Sequence, residues 1–354
     1  MIDDDSTLSA RIAVRGRGTG ELAKGRFERL EVEFEQEDAR QVKTQVFRDS
    51  SRSILSTNDS PDIGFSASLN PYRGCEHGCI YCYARPTHEY LGLSAGLDFE
   101  TKIFAKMEAP SLLRAELQSK KWVPQIIAVS GVTDCYQPFE RDLKLTRGCL
   151  EVLAEYRNPV AIITKNYLVT RDLDVLKTLA EYHCIHVTLS ITTLDKELAR
   201  KMEPRASRPE LRLKAVEELS KAGIPVSVNM APIVPGLTDH EIPLLLKAAA
   251  DAGAYSAHYT MMRLPYGVKD LFQTWLDEHY LSHKQKVLNR IKEIRGGKLN
   301  ASEFGSRMKG EGIYAEHIAQ MFAQSRKRYG LTKKSTPLTT QHFRRAPDAQ
   351  LSLF

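Results

Sequence analysis

Six short apolar runs, at residues 65–69, 125–129, 160–164, 186–191, 225–230 and 255–262, are separated by stretches whose apolar residues recur at three- and four-residue intervals. Those stretches, at 143–156, 173–182, 211–221 and 241–252, predict helices that bury one face, and Gly223 is placed to end one of them. Strands alternating with helices imply parallel β-α units. Six such units predict a partial, open (β/α)6 barrel in an α/β chain, with reactive residues gathered at the carboxyl ends of the strands.

Where the first strand should end, the chain reads Tyr72-Arg73-Gly74-Cys75-Glu76-His77-Gly78-Cys79-Ile80-Tyr81-Cys82-Tyr83. Three thiolates in C-x3-C-x2-C spacing fill three corners of a four-iron cube, and with no evident fourth cysteine one iron stays open to a substrate or cofactor. The alternative is a zinc site with His77 or His88 as fourth ligand. Against it, zinc ribbons and fingers place a second ligand pair some 12–20 residues on, and no second C-x2-C or H-x3-H follows.

The C-x3-C-x2-C run with an aromatic residue before its last cysteine resembles the radical S-adenosylmethionine (SAM) superfamily. Within it, Asn70-Pro71-Tyr72-Arg73-Gly74-Cys75 and Ser130-Gly131-Val132-Thr133-Asp134 are similar to the group related to spore photoproduct lyase, often labelled DNA repair photolyases; the likeness spans about residues 65–265. The resemblance implies a [4Fe-4S] cluster on Cys75, Cys79 and Cys82, with SAM on the open iron cleaved by one electron to a 5′-deoxyadenosyl radical. It puts Tyr81 beside the adenine, Thr133 and Asp134 at the SAM amine, and Lys165 and Ser190 at corresponding strand ends, Lys165 suited to the SAM carboxylate. It also implies an electron donor such as flavodoxin or ferredoxin. Thr133 and Asp134 equally suit a helix N-cap, and Lys165 a solvated surface. Asn229, His258 and Arg263 are further strand-end candidates for SAM or substrate, as alternatives to core and salt-bridge roles.

One position departs from the pattern. The repair enzyme returns a hydrogen atom from a cysteine, and that position is Gly131 here. Cys135, four residues on, is the substitute candidate for a catalytic donor, or else a small buried hydrophobe.

The chain divides into an N-terminal extension (1–60), the partial barrel (61–294), a basic helical region (295–335) and a flexible tail (336–354). Residues 32–47 are expected to extend the barrel edge. From residue 295 onward there are eleven Lys or Arg against four Asp or Glu, so this region carries all the excess positive charge of a chain of net +6. Clustered basic residues with His317, Tyr329, His342 and Phe343 nearby suit a phosphate backbone, hence DNA as a partner, or a solubilising surface. The tail ends in Gln350-Leu351-Ser352-Leu353-Phe354, which looks like the motif that binds the bacterial sliding clamp; docking on the protein's own surface is the alternative. The acidic start Met1-Ile2-Asp3-Asp4-Asp5 and the absence of a long apolar run predict a cytoplasmic location with no membrane partner.

These features predict a lyase-like radical SAM enzyme acting on DNA, in lesion repair. The alternatives are the same chemistry on RNA, protein or a small molecule, and a non-catalytic iron-sulfur or zinc protein that binds DNA. Deletion of residues 350–354 is expected to eliminate sliding-clamp capture in a pull-down while SAM cleavage stays unchanged.

Overall fold

Short strands rich in β-branched and small residues pair here into two sheets. A computed structural model describes residues 16–21, 23, 26–27, 42–333 and 337–345. Its strands are β1 (Gln45–Arg48), β2 (Leu55–Thr57), β3 (Ala67–Leu69), β4 (Tyr72–Arg73), β5 (Lys102–Ala105), β6 (Ile127–Val129), β7 (Val160–Thr164), β8 (Ile185–Ser190), β9 (Val226–Ile233) and β10 (Ser256–Met261). The larger sheet has the order β10-β9-β8-β7-β6-β3-β2. β3 and β6 to β10 are parallel neighbours, and β2 is antiparallel to β3 at the edge. The six apolar runs of the sequence fall on those six parallel strands.

Helices cover one face. The four amphipathic stretches form the helices Leu145–Tyr156, Leu173–Glu181, Pro209–Lys221 and Ile242–Asp251. Gly223 takes φ +76° just past the third, and the Ile224 N–H turns back to the Leu219 carbonyl, the satisfaction of a helix end that a left-handed residue allows. Ile162, Val187, Leu189, Val228 and Ala257 are fully buried in the main core. Alternation puts Ala161, Thr188, Ser190, Ser227, Asn229 and His258 on the other face. Register aligns Ser190, Asn229 and His258 across β8, β9 and β10, and Thr188 hydrogen-bonds Ser227 at 3.0 Å. A closed eight-stranded barrel fills its interior with branched apolar side chains. Small and polar residues here leave that interior to something else.

The sheet is a partial barrel: β10 and β2 are its two edges, and among the described residues no strand pairing joins them. A loop bridges them instead. On one side the Met261 N–H reaches the Met308 carbonyl at 2.9 Å, and Lys309 Nζ donates to the Tyr259 carbonyl at 2.8 Å. On the other, Asp62 of the β2–β3 connection accepts the Gly305 N–H at 2.7 Å and the Arg307 guanidinium.

Two expectations are corrected. β1 does not extend the barrel edge; it pairs in parallel with β5, which also pairs with β4, in a separate three-stranded sheet, and Phe47 stacks on Phe104 at 5.2 Å. Residues 32–41 lie outside the described residues. Residues 337–345, expected in a flexible tail, run against the protein: the Thr339 N–H bonds the His183 carbonyl, the Arg344 N–H bonds the Tyr156 carbonyl, and Phe343 packs on the Tyr156 ring at 6.4 Å. The guanidinium groups of Arg344 and Arg345 donate to backbone carbonyls there. The basic region does form a helix, Ile313–Arg328. The pentapeptide 350–354 is outside the described residues. Among the described residues no helix is long and apolar enough to cross a membrane.

Asp62→Ala is expected to free the bridging loop while the core holds, read as faster amide exchange at Gly305 and Met261 with protection of β6 to β9 unchanged.

Candidate metal and cofactor site

The cysteine loop follows β4 and is held through its backbone. Gly74 (φ +78°) and Gly78 (φ +64°) turn it, and a Cβ at either would fall 2.8 Å from the His88 ring or 2.5 Å from the Glu100 carboxylate. Arg85 is wholly buried; it donates to the carbonyls of Cys79 (2.9 Å), Gly78 (3.2 Å), Ala95 (3.2 Å) and Gly96 (2.9 Å) and pairs with Glu100 at 2.5 Å. From the opposite side Gln137 accepts the Glu76 N–H at 3.0 Å and donates to the Gly74 carbonyl at 3.2 Å.

Cys75 and Cys79 are buried and Cys82 half-buried. Burial pushes all three thiols up, and at Cys75 the charges of Asp134, Cys79 and Cys82 add to it. Thiols so placed ionise only against positive charge, which a metal centre provides outright. Among the described residues no three His, Cys, Asp or Glu side chains are grouped closely enough to hold a metal ion together. His77 is engaged elsewhere. Its Nδ1 lies 3.4 Å from Asp134 and its Nε2 3.2 Å from Asn166 Nδ2. Asn166 Oδ1 already accepts from the Leu168 N–H and Ser207, so the amide donates to Nε2 and the ring proton sits on Nδ1. His88 bonds the Lys102 carbonyl through Nε2 and lies edge-on to Phe99 and Phe104. The three thiols are the residues that would hold a metal centre; His77 is committed to Asp134 and Asn166, and His88 keeps a buried, unpartnered Nδ1.

Strand ends from β6 to β9 meet the loop. After β6, Asp134 accepts from Thr164 Oγ1 (2.7 Å) and the N–H groups of Lys165 (2.7 Å) and Tyr136 (2.9 Å), besides His77. Burial opposes its ionisation, but His77, Thr164 and the Lys165 N–H outweigh that and hold the carboxyl down at about 2. Four partners use the acceptor capacity of a carboxylate, so Asp134 ties β6, β7 and the cysteine loop together. Thr133 is buried, with its hydroxyl on the Tyr72 carbonyl at 3.3 Å. Cys135 is wholly buried in the main core. Lys165 donates from Nζ to the Ala231 carbonyl at 3.3 Å and stands 5.8 Å over the Tyr81 ring. Ser190 is buried, in register with Asn229, whose Oδ1 is buried without a partner. His258 lies exposed on edge strand β10, in register with Asn229.

Three features were not assigned from the sequence. Glu203 is buried and accepts from the Tyr81 hydroxyl, Thr192 Oγ1 (2.7 Å) and the wholly buried Arg212, which also donates to the Ser190 carbonyl at 3.0 Å. Against burial, Arg212 and Lys165 hold the Glu203 carboxyl down at about 2. A tyrosine inside the cysteine run was the available signal, because a buried hydroxyl needs a partner. Tyr83 donates its hydroxyl to the Gly131 carbonyl and lies 5.7 Å from the Arg263 guanidinium, spanning the mouth from β6 to β10.

The family model described as the Radical SAM superfamily matches residues 69–249. An uncharacterized protein of Mycobacterium tuberculosis is 36% identical over 234 residues, 66% of this chain and 68% of its own length. One of Methanocaldococcus jannaschii is 28% identical over 222 residues, 63% of this chain and 79% of its own. Among solved structures, a mutant spore photoproduct lyase with bound AdoMet and dinucleoside spore photoproduct superposes with a TM-score of 0.59 over 85% of each chain, at 15% identity. At that identity the likeness is one of fold.

Glu203→Gln strands a buried guanidinium and is expected to cost about 3–5 kcal/mol at neutral pH. Glu203→Gln with Arg212→Met should recover much of it in urea melts. Because the folded carboxyl titrates near 2 and an unfolded glutamate near 4.3, the stability Glu203 gives is complete above about pH 4.3 and is lost as pH falls toward 2. The double variant should lose that part of the acid slope.

Proposed function

Because this chain belongs to the radical SAM superfamily, we propose that Cys75, Cys79 and Cys82 hold a [4Fe-4S] cluster and that the protein is an enzyme working through SAM. The observation that carries this reading is the C-x3-C-x2-C loop, with Cys75 and Cys79 buried and Cys82 half-buried, set with Tyr81 and Lys165 at the carboxyl ends of parallel strands. Such a cluster with SAM would supply one-electron reductive cleavage of SAM and radical hydrogen abstraction from the substrate. The protein's own groups bind, orient and exclude water. Lys165 spends one of its three donors on Ala231 and offers the others to the SAM carboxylate. Tyr81, fixed by Glu203, gives the adenine a wall. Asp134 and Thr133 shape the loop, and the orphan oxygen of Asn229, beside Ser190 in register, is the acceptor left for the amine. Cys135 acts as core.

DNA carrying a lesion is the substrate we infer. Two things support it: the positive charge of the C-terminal region, and a fold shared with a lyase whose solved complexes contain a dinucleoside spore photoproduct. A radical reaction on RNA, protein or a small molecule is the second reading. Gly131 favours it, since at the position where the resemblance puts a hydrogen-donating cysteine there is no side chain. The sliding clamp, flavodoxin or ferredoxin remain proposed partners.

Two measurements test this. Cys75→Ala, Cys79→Ala or Cys82→Ala is expected to abolish the iron content and visible absorbance of the anaerobically reconstituted protein; a coloured variant would refute the ligand set. The reduced protein with SAM is expected to release 5′-deoxyadenosine faster with ultraviolet-irradiated duplex DNA than with intact DNA. Release indifferent to DNA would keep the radical chemistry and transfer the substrate to the second reading.

A further inference from the structure

The wall of the mouth after β10 holds two guanidinium groups that, among the described residues, no salt bridge pairs; Asp62 and Glu311 act on them only at longer range. Arg263 Nη1 meets only Met308 Sδ, at 3.6 Å, and its Nε is buried without a partner. Thioether sulfur is a weak acceptor. Arg295, 4% exposed, gives its two terminal nitrogens to the Ser306 and Met262 carbonyls at 3.1 and 2.8 Å, and its Nε is also buried and unpartnered. Asp62 forms its salt bridge with Arg307 and reaches Arg263 only as a more distant charge. Among the described residues, neither Arg263 nor Arg295 forms a salt bridge. Burial and the neighbouring guanidinium groups disfavour the charged form at both. Cations removed from water are stable when paired, and arginine's planar fork matches a phosphate oxygen pair.

The surroundings of Arg263 say which anion. Tyr83 is 52% exposed beside it, and Phe304 is 61% exposed with Arg307 stacked 4.5 Å from its ring. Open aromatic faces interleaved with guanidinium groups are what a single nucleic-acid strand uses, bases stacking while phosphates pair. We propose that Arg263, with Arg295 as a fixed charge behind it, seats one phosphate of a nucleic-acid strand whose adjoining base stacks on Tyr83. This rests on the mouth being the substrate entrance, as argued above.

The test uses the reconstituted full chain and a dinucleotide with a single linkage, thymidylyl-thymidine, against its uncharged methylphosphonate analogue. Both compete with a fluorescent hexathymidylate strand, read by anisotropy. The wild type is expected to prefer the phosphodiester by roughly ten- to a hundredfold, as one charge-assisted contact allows. Arg263→Gln should bring that preference close to one while binding the methylphosphonate as the wild type does. Arg263→Lys, which keeps the charge and loses the fork, should fall between. Tyr83→Leu should weaken both dinucleotides equally, a readout independent of whether Arg263→Gln folds. A preference that survives in both Arg263 variants, or a wild type that binds neither dinucleotide, overturns the proposal. Thymidine 5′-monophosphate competing as well as the dinucleotide would also overturn it, in favour of a mononucleotide site. SAM cleavage without nucleic acid, measured on the same wild-type protein, separates the two failures: its loss defeats the radical reading and leaves the phosphate result standing.

Discussion

The arrangement depends on the wholly buried Arg85–Glu100 pair. Three cysteine side chains in the loop that follows β4 present one face only if the loop's carbonyls are held, and Arg85 collects those of Gly78 and Cys79 with those of Ala95 and Gly96. Glu100 reaches the N-terminal extension as well, by accepting the Gly18 N–H at 2.9 Å, while Arg17 donates to the Glu100 carbonyl. A buried ion pair adds little net stability over an apolar substitute, but losing one partner is severe. Its contribution here is geometric: it fixes one loop conformation in a region where the backbone has few ladder bonds.

Above that loop the charged groups divide by sign. The buried acids build. Asp134 ties β6 and β7 to the cysteine loop, Glu203 fastens Tyr81 to Arg212, and Glu76 accepts from Arg205, Thr44 and the Phe139 N–H. Their lone pairs are used within the protein. Arg85, Arg205 and Arg212 are spent on buried acids and on carbonyls, whereas two basic groups are less committed, with Lys165 on one carbonyl and Arg263 on a sulfur. Under the proposed function, Lys165 and Arg263 are the cations left for anionic groups, the carboxylate of SAM and a phosphate.

The sequence disclosed the parallel strands and the cysteine loop because each is written locally, in a run of apolar residues or a fixed spacing. What it hid depends on distant partners. β1 and β5 are each four residues long, β1 is exposed throughout, and they pair across more than fifty residues, so no periodicity announces them. Glu203, which reads only as a residue shaping the mouth with no chemical role, and Arg212 reveal their part when the chain brings them under Tyr81. Thr133 and Asp134 were legible as residues at a strand end, but only the geometry revealed that their oxygens are engaged with the protein itself. Arg344 and Arg345 read as a cationic tail, whereas they lie against backbone carbonyls of the helical layer.

The bridge from Asp62 to the loop beside β10 has a consequence for how such a fold diversifies. In a closed barrel the number of strands and their stagger together fix the circumference. Here the last part of the ring is a clasp of side chains and loop backbone, free of that rule. Its span is a matter of loop length, so inserting or deleting residues between 299 and 310 rescales the lumen without altering the ladder or the cysteine loop. One reaction centre can thereby be fitted to guests of different girth.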